Sequence, residues 1–169
     1  MFILEASYLI PTLVLFVAMI TDLRDRKVYN RWVMISVVMV LANNYYFFGF
    51  EGLREGLYGM IMAGALTLPF VMGNVIGAGD AKILMAFGLG TTYSTAFSVI
   101  ILSYVWAGIL GLGLAVYNKK VLKVLSNAIR IIRSQKPELH ELHQIPFCLA
   151  IFLAWITLIY LGVKQGALI

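Results

Sequence analysis

The sequence predicts an all-α polytopic membrane protein with six transmembrane helices, and three observations lead there. Of 169 residues, 62% are hydrophobic and 12% charged, against about 25% charge in a typical soluble domain. The mean hydropathy of +0.91 excludes a water-soluble globule. Lys and Arg are gathered into short segments between long uncharged stretches, the arrangement that orients a multispanning chain. A span takes about 20 apolar residues, so this length holds roughly five to seven.

Stretches free of Asp, Glu, Lys and Arg run over 6–21, 32–50, 56–79, 83–118 and, once Glu141 is set aside, 139–163. Residues 1–20 contain Glu5 but no Lys or Arg, so the basic leader region of a cleavable signal peptide is missing and the first stretch is expected to persist as a span. Four of the stretches have the length of one span. As a single helix, 83–118 would extend about 54 Å, far beyond a hydrocarbon core of about 30 Å. A hairpin is expected there, turning at Gly88, Gly90, Thr91 and Thr92, because glycine is a poor helix-interior residue. Six spans result.

Charge placement supports the count independently. Six spans put Arg24, Arg26, Lys27, Arg31, Lys82, Lys119, Lys120, Lys123, Arg130, Arg133 and Lys136 on one side, with Arg54 and Lys164 on the other. Cytoplasmic loops accumulate Lys and Arg, so the first group is expected in the cytoplasm and both termini outward. A single span over 83–118 would throw the cluster after Lys119 outside. Between Asn118 and Lys136, Val121, Leu122, Val124, Leu125, Ala128, Ile129 and Ile132 recur at helical spacing opposite Lys119, Lys123, Asn127, Arg130 and Ser134. An amphipathic helix on the cytoplasmic leaflet is expected between spans five and six, either a lipid-contacting connector or a substrate platform. The chain reads as one membrane-embedded domain over 1–169, without repeats.

These features narrow the function classes. The net charge of +5 is topological, so membrane lipid is the expected partner and nucleic acid is not. The single cysteine, Cys148, can form neither an intrachain disulfide nor a Cys-x-x-Cys site. His140-Glu141-Leu142-His143 has a histidine spacing of three where a helical zinc-protease motif needs four, so no metal and no cofactor are expected.

Of 8 acidic residues, Glu5, Glu51, Glu55, Glu138 and Glu141 fall at the chain start or in expected loops. Asp22 closes the first span and Asp80 opens the fourth, both at the cytoplasmic border. Carboxylates there are costly and usually functional. Two brought close share a proton, since like charges resist joint ionisation, so that one can deprotonate water while the other hydrogen-bonds a scissile carbonyl. Asp80 sits in Gly77-Ala78-Gly79-Asp80-Ala81-Lys82. The glycines permit an extended or left-handed backbone beside which an extended substrate could lie; the alternative is an ordinary loop with Asp80 as a helix N-cap. Asp25, one turn from Asp22, is a possible partner in its place, or part of a solvated loop with Arg24 and Arg26.

Thr21-Asp22-Leu23-Arg24-Asp25-Arg26-Lys27-Val28-Tyr29-Asn30 resembles the D-L-R-x-R-x-I-P-N signature of type IV prepilin peptidases, and Gly77 to Lys82 resembles their G-x-G-D-x-K. Gln144-Ile145-Pro146-Phe147-Cys148-Leu149-Ala150 is similar to the I-P-F/Y-x-x-A segment opening the family's last span. The order of the three motifs is far more specific than any one of them. The resemblance implies a six-span GxGD aspartic protease, with Asp22 and Asp80 as the catalytic pair and Gly77 and Gly79 shaping the substrate-facing backbone. Lys82 matches a family lysine, read either as substrate-binding or as a topology-setting cation. Tyr29 stands where the family has proline.

The implied substrate is a pilin-like precursor cut at the cytoplasmic face, its helix received by small residues such as Gly59, Ala63, Gly64 and Gly108. No N-methyltransferase region is expected, so the chain resembles the short, peptidase-only branch serving Flp-type pili or archaeal preflagellins. Asp80, at a helix N-terminus, is expected to be the base and Asp22, near a C-terminus, the proton donor. The alternative is a small proton- or cation-coupled transporter using the same aspartates.

Overall fold

The computed structural model describes residues 7–118 and 146–164. Within them the regular structure is helical: α1 (Leu9–Asp25), α2 (Asn30–Met72), α3 (Ala78–Leu89), α4 (Tyr93–Tyr117) and α5 (Phe147–Lys164). The amphipathic helix expected between Asn118 and Lys136 lies outside the described residues beyond Asn118 itself, as do His140 to His143.

α2 consists of two arms joined at Gly49, whose φ of 60° and ψ of −144° only glycine takes readily. The arms fold back on each other. Asn44 Nδ2 donates to the Gly52 carbonyl at 3.2 Å, whereas eight residues of continuous helix would separate them by about 12 Å. The expected loop of charged residues after position 50 is therefore a one-residue reversal. Glu51 and Arg54 lie in the helix beyond it and pair at 2.6 Å on its exposed surface, where charge does not oppose helix formation.

The reversal expected near residue 90 is present. α3 ends on Gly90, and Thr92 begins α4 by accepting the Thr95 N–H at 3.3 Å. With 12 residues, α3 is about 18 Å long, shorter than a hydrocarbon core. Among the described helices, α2 and α4 are long and apolar enough to cross a membrane.

α3 packs on the second arm of α2 with backbones in contact. A Cβ on Gly56 would strike the Leu89 carbonyl, and one on Gly59 the Gly88 carbonyl; a Cβ on Gly88 would reach the Gly59 carbonyl oxygen at 2.5 Å. Gly64 faces Met85, and Ala63 is fully buried. Three of the small residues expected to receive a substrate helix thus serve internal packing. Of that set Gly108 has open space around it. Asn44 Nδ2 also donates to the Leu89 carbonyl at 2.7 Å, so the end of α3 is tied to both arms of α2.

The core centres on Trp155 of α5, 1% exposed. Its indole N–H donates to Thr12 Oγ1 of α1 at 2.8 Å, and its ring meets Tyr8 and Phe87 edge-on with centroids 5.4 and 5.1 Å away. Leu, Ile, Val and Phe side chains such as Phe16, Ile61, Ile101 and Val105 cover the outer faces, the surface a lipid environment accepts and water does not.

Candidate active site

Asp22 lies in the last turn of α1 and is 8% exposed. The helix ends one turn on because Arg26 takes a left-handed φ of 51°, its N–H donating to the Asp22 carbonyl at 3.0 Å. That conformation costs a non-glycine residue about 1 kcal/mol. Tyr29 then opens α2 with φ −73°, inside the range of about −65 ± 15° that proline would impose. Proline could therefore take the same φ at this position. The Tyr29 hydroxyl donates to Asp25 Oδ2 at 3.0 Å, and this bond, followed by the Asp25 charge, raises the pKa of the phenol. Asp25, the exposed last residue of α1, lies beside Arg24 at 3.8 Å, and it is Asp22 that meets Asp80.

Asp80 sits in the first turn of α3, whose N-cap is Gly77 at φ −71° and ψ 144°. The aspartate is thus not the cap itself. Neither Gly77 nor Gly79 has a positive φ, so backbone freedom does not explain them. Close approach does: a Cβ on Gly77 would lie 3.0 Å from Asp80 Oδ2, and one on Gly79 would lie 3.1 Å from Val28 Cβ. Lys82, exposed on the same helix, donates to Asn30 Oδ1 at 3.0 Å, linking the glycine-aspartate segment to the last residue of the Asp22 segment.

The two acids converge with a third group. One carboxylate oxygen of Asp22, one of Asp80 and Cys148 Sγ all lie within 4.8 Å of one another. Cys148, in the first turn of α5 and 2% exposed, reaches both acids. Its N–H donates to Asp22 Oδ2 at 3.1 Å and its thiol to Asp80 Oδ1 at 3.1 Å. Asp22 therefore ends its own helix while accepting from the N-terminus of another. The contrast of helix ends that made Asp80 the base and Asp22 the donor is lost, since each acid now faces a helix N-terminus.

Hydrogen bonds of about 2.7–2.8 Å let one water bridge oxygens at this separation. Among the described residues, these three groups are also the set that could converge on a cation, although the α5 donors already engage both carboxylates. The sequence assigns Cys148 no role beyond its place in the segment 144–150. Its position two residues after Pro146, at the start of a helix where backbone N–H groups lack acceptors, was the available signal.

The sequence profile of the type IV leader peptidase family matches residues 9–112. That range includes Asp22 and Asp80 and stops before Cys148. The chain is also similar to the prepilin peptidase EppA of Methanocaldococcus jannaschii, at 26% identity over 103 residues that make up 61% of this chain and 29% of that protein. The match thus spans less than a third of that relative's length. No solved structure matches the chain. With the profile covering more than half of its length, the chain belongs to the type IV leader peptidase family.

Proposed function

We propose that this protein is an aspartic endopeptidase of the cytoplasmic membrane that removes the leader peptide of pilin-like precursors. The observation that carries the reading is the approach of Asp22 and Asp80, from two helices, to within 4.8 Å in a chain of this family. A pair at that separation holds one proton between its members. The ionised carboxylate takes a proton from water as the oxygen attacks the scissile carbonyl, and the protonated one hydrogen-bonds the carbonyl oxygen. Collapse of the tetrahedral intermediate then delivers the captured proton to the leaving amine. A transporter using the same acids gains nothing from the family match.

The proposed topology has six crossings: α1, the two arms of α2, α3, α4 and α5, with the short α3 accommodated by local thinning of the bilayer, both termini outward and the acid pair at the cytoplasmic face. Helix directions support it. The last turn of α1 meets the first turns of α3 and α5 at the acids, so α1 runs opposite to the other two, as first, fourth and sixth crossings must. Tyr45, Tyr46, Phe48 and Phe50 are exposed around the Gly49 reversal, matching an aromatic belt at the outer interface. The exposed backbone at Gly77 borders the acids and receives an extended substrate segment, with Gly79 drawing the preceding loop close. Lys82 and Arg26 supply positive charge for an acidic residue early in the mature substrate. Residues 1–169 act as one peptidase domain.

Coexpression with a pilin-like precursor tests the reading. The expected result is a shortened product whose new N-terminus lies just before the precursor's hydrophobic helix, formed with the parent and not with D22A or D80A. An unprocessed precursor with the parent, across bacterial and archaeal pilin types, would overturn it.

A further inference from the structure

We propose that Cys148 is a positioning residue of the acid pair, a clip through which the first turn of α5 fixes the separation of Asp22 and Asp80. The proposal rests on the aspartic-peptidase reading and adds a residue outside the span of the family match.

Two donors from one residue hold two acids from different helices. The Cys148 N–H is among the first of α5, which have no acceptor within their own helix, and Asp22 Oδ2 satisfies it at 3.1 Å. The thiol, a weak donor, lies 3.1 Å from Asp80 Oδ1. Nitrogen and sulfur are a fixed few bonds apart, so the oxygens they engage are held close despite the repulsion of like charges. Asp22 Oδ1 is left for water and substrate, while the Asp80 carboxylate also accepts from the Gly77 N–H. The clip is itself anchored: two turns further along α5, Trp155 is fixed by Thr12 of α1 and Phe87 of α3, the helices that carry the two acids.

A buried cysteine can also be no more than a small apolar filler. The two roles separate on substitution. Alanine and serine leave nearly the same void, but serine keeps a donor. A filler therefore makes C148A and C148S equivalent, whereas a clip makes serine the better replacement.

The test uses the full chain reconstituted in lipid vesicles with a pilin-like precursor, comparing the parent, C148A, C148S, C148V and D80N. Loss of a hydrogen bond to a charged partner predicts kcat about tenfold lower in C148A with KM within about twofold of the parent. C148S is expected to recover kcat to within about threefold of the parent, because its hydroxyl is the stronger donor. C148V refills the volume without a donor and is expected to share the kcat loss, which keeps the test intact if C148A fails to accumulate. Equal rates in C148S and the donorless variants, or a loss confined to KM, would overturn the clip. D80N separates the two ideas: its inactivity beside fully active C148A and C148V refutes the clip alone, while a parent-like D80N removes the acid pair and the clip with it.

Discussion

Phe87 and Trp155 meet edge to face with ring centroids 5.1 Å apart, two turns beyond Asp80 on α3 and Cys148 on α5. The same two helices thus touch at the thiol-carboxylate contact and again at the ring pair, which fixes them as parallel neighbours in register. Tyr8 and Thr12 bring α1 onto the same indole. The three helices of the acid site are therefore aligned by one buried side chain below it.

Trp155 is accordingly the expected weak point of the site's scaffold. In lipid the transfer contribution to burial is small and packing remains, so W155A is expected to lose about 2–3 kcal/mol of stability, somewhat below the 3–5 kcal/mol typical of aqueous cores. W155F keeps much of the ring contact and loses the bond to Thr12, at an expected cost of about 1 kcal/mol. Thermal unfolding in detergent, read by near-ultraviolet circular dichroism, measures both. Equal midpoints for W155A and the parent would show that α1, α3 and α5 are aligned by something else.

Backbone contact between α2 and α3 gives a second expectation. A Cβ at Gly59 would run into the Gly88 carbonyl, and backbone cannot swing aside as a side chain can. G59A and G88A are expected to destabilise by about 1–3 kcal/mol through overpacking. G108A and G113A, with nothing within 4 Å of the added carbon, are expected to match or slightly exceed the parent, since alanine favours the helix by up to about 1 kcal/mol. The same unfolding measurement ranks the four variants, and a G59A midpoint at or above that of G108A would contradict the close approach.

Tyr29 offers a pH-dependent readout outside the spans. Its neutral phenol donates to Asp25, so the bond is present throughout the ordinary range and is lost as pH climbs through the raised pKa. Removing the acceptor in D25N or D25A is expected to bring the titration back toward about 10. Nuclear magnetic resonance of labelled tyrosine, with the resonance assigned through Y29F, follows it. Y29P is expected to fold with the parent's stability to within about 1 kcal/mol, because the native φ already suits proline. An unchanged titration in D25N would mean that the loop contact does not persist in solution.

Much of this was legible from residue order because the bilayer imposes simple rules on length and charge. Asp22 and Asp80 stood out as the carboxylates that interrupt apolar stretches, and residues 88–92 had to turn because one helix would be too long. The reversal at Gly49 was displaced in the sequence reading because Glu51, Arg54 and Glu55 suggested a loop, whereas exposed charges sit comfortably on a helix near an interface. Gly59 reads in sequence as one of the small residues receiving a substrate helix; only the backbone of α3 at Gly88 shows why it is small. The same holds for Gly77 and Gly79, whose neighbours come from the Asp80 side chain and from Val28. Cys148 escaped because its significance is three-dimensional: one residue supplies a main-chain donor to one acid and a side-chain donor to the other.

The most direct measurement is the single-turnover cleavage rate of a pilin-like precursor by the reconstituted parent, D22N, D80N and the double variant, each checked for insertion and folding. If the acids act as one unit, each single variant falls by at least about a thousandfold and the double variant is no slower than either. A single variant within about tenfold of the parent, or losses that multiply in the double variant, would contradict a shared catalytic pair.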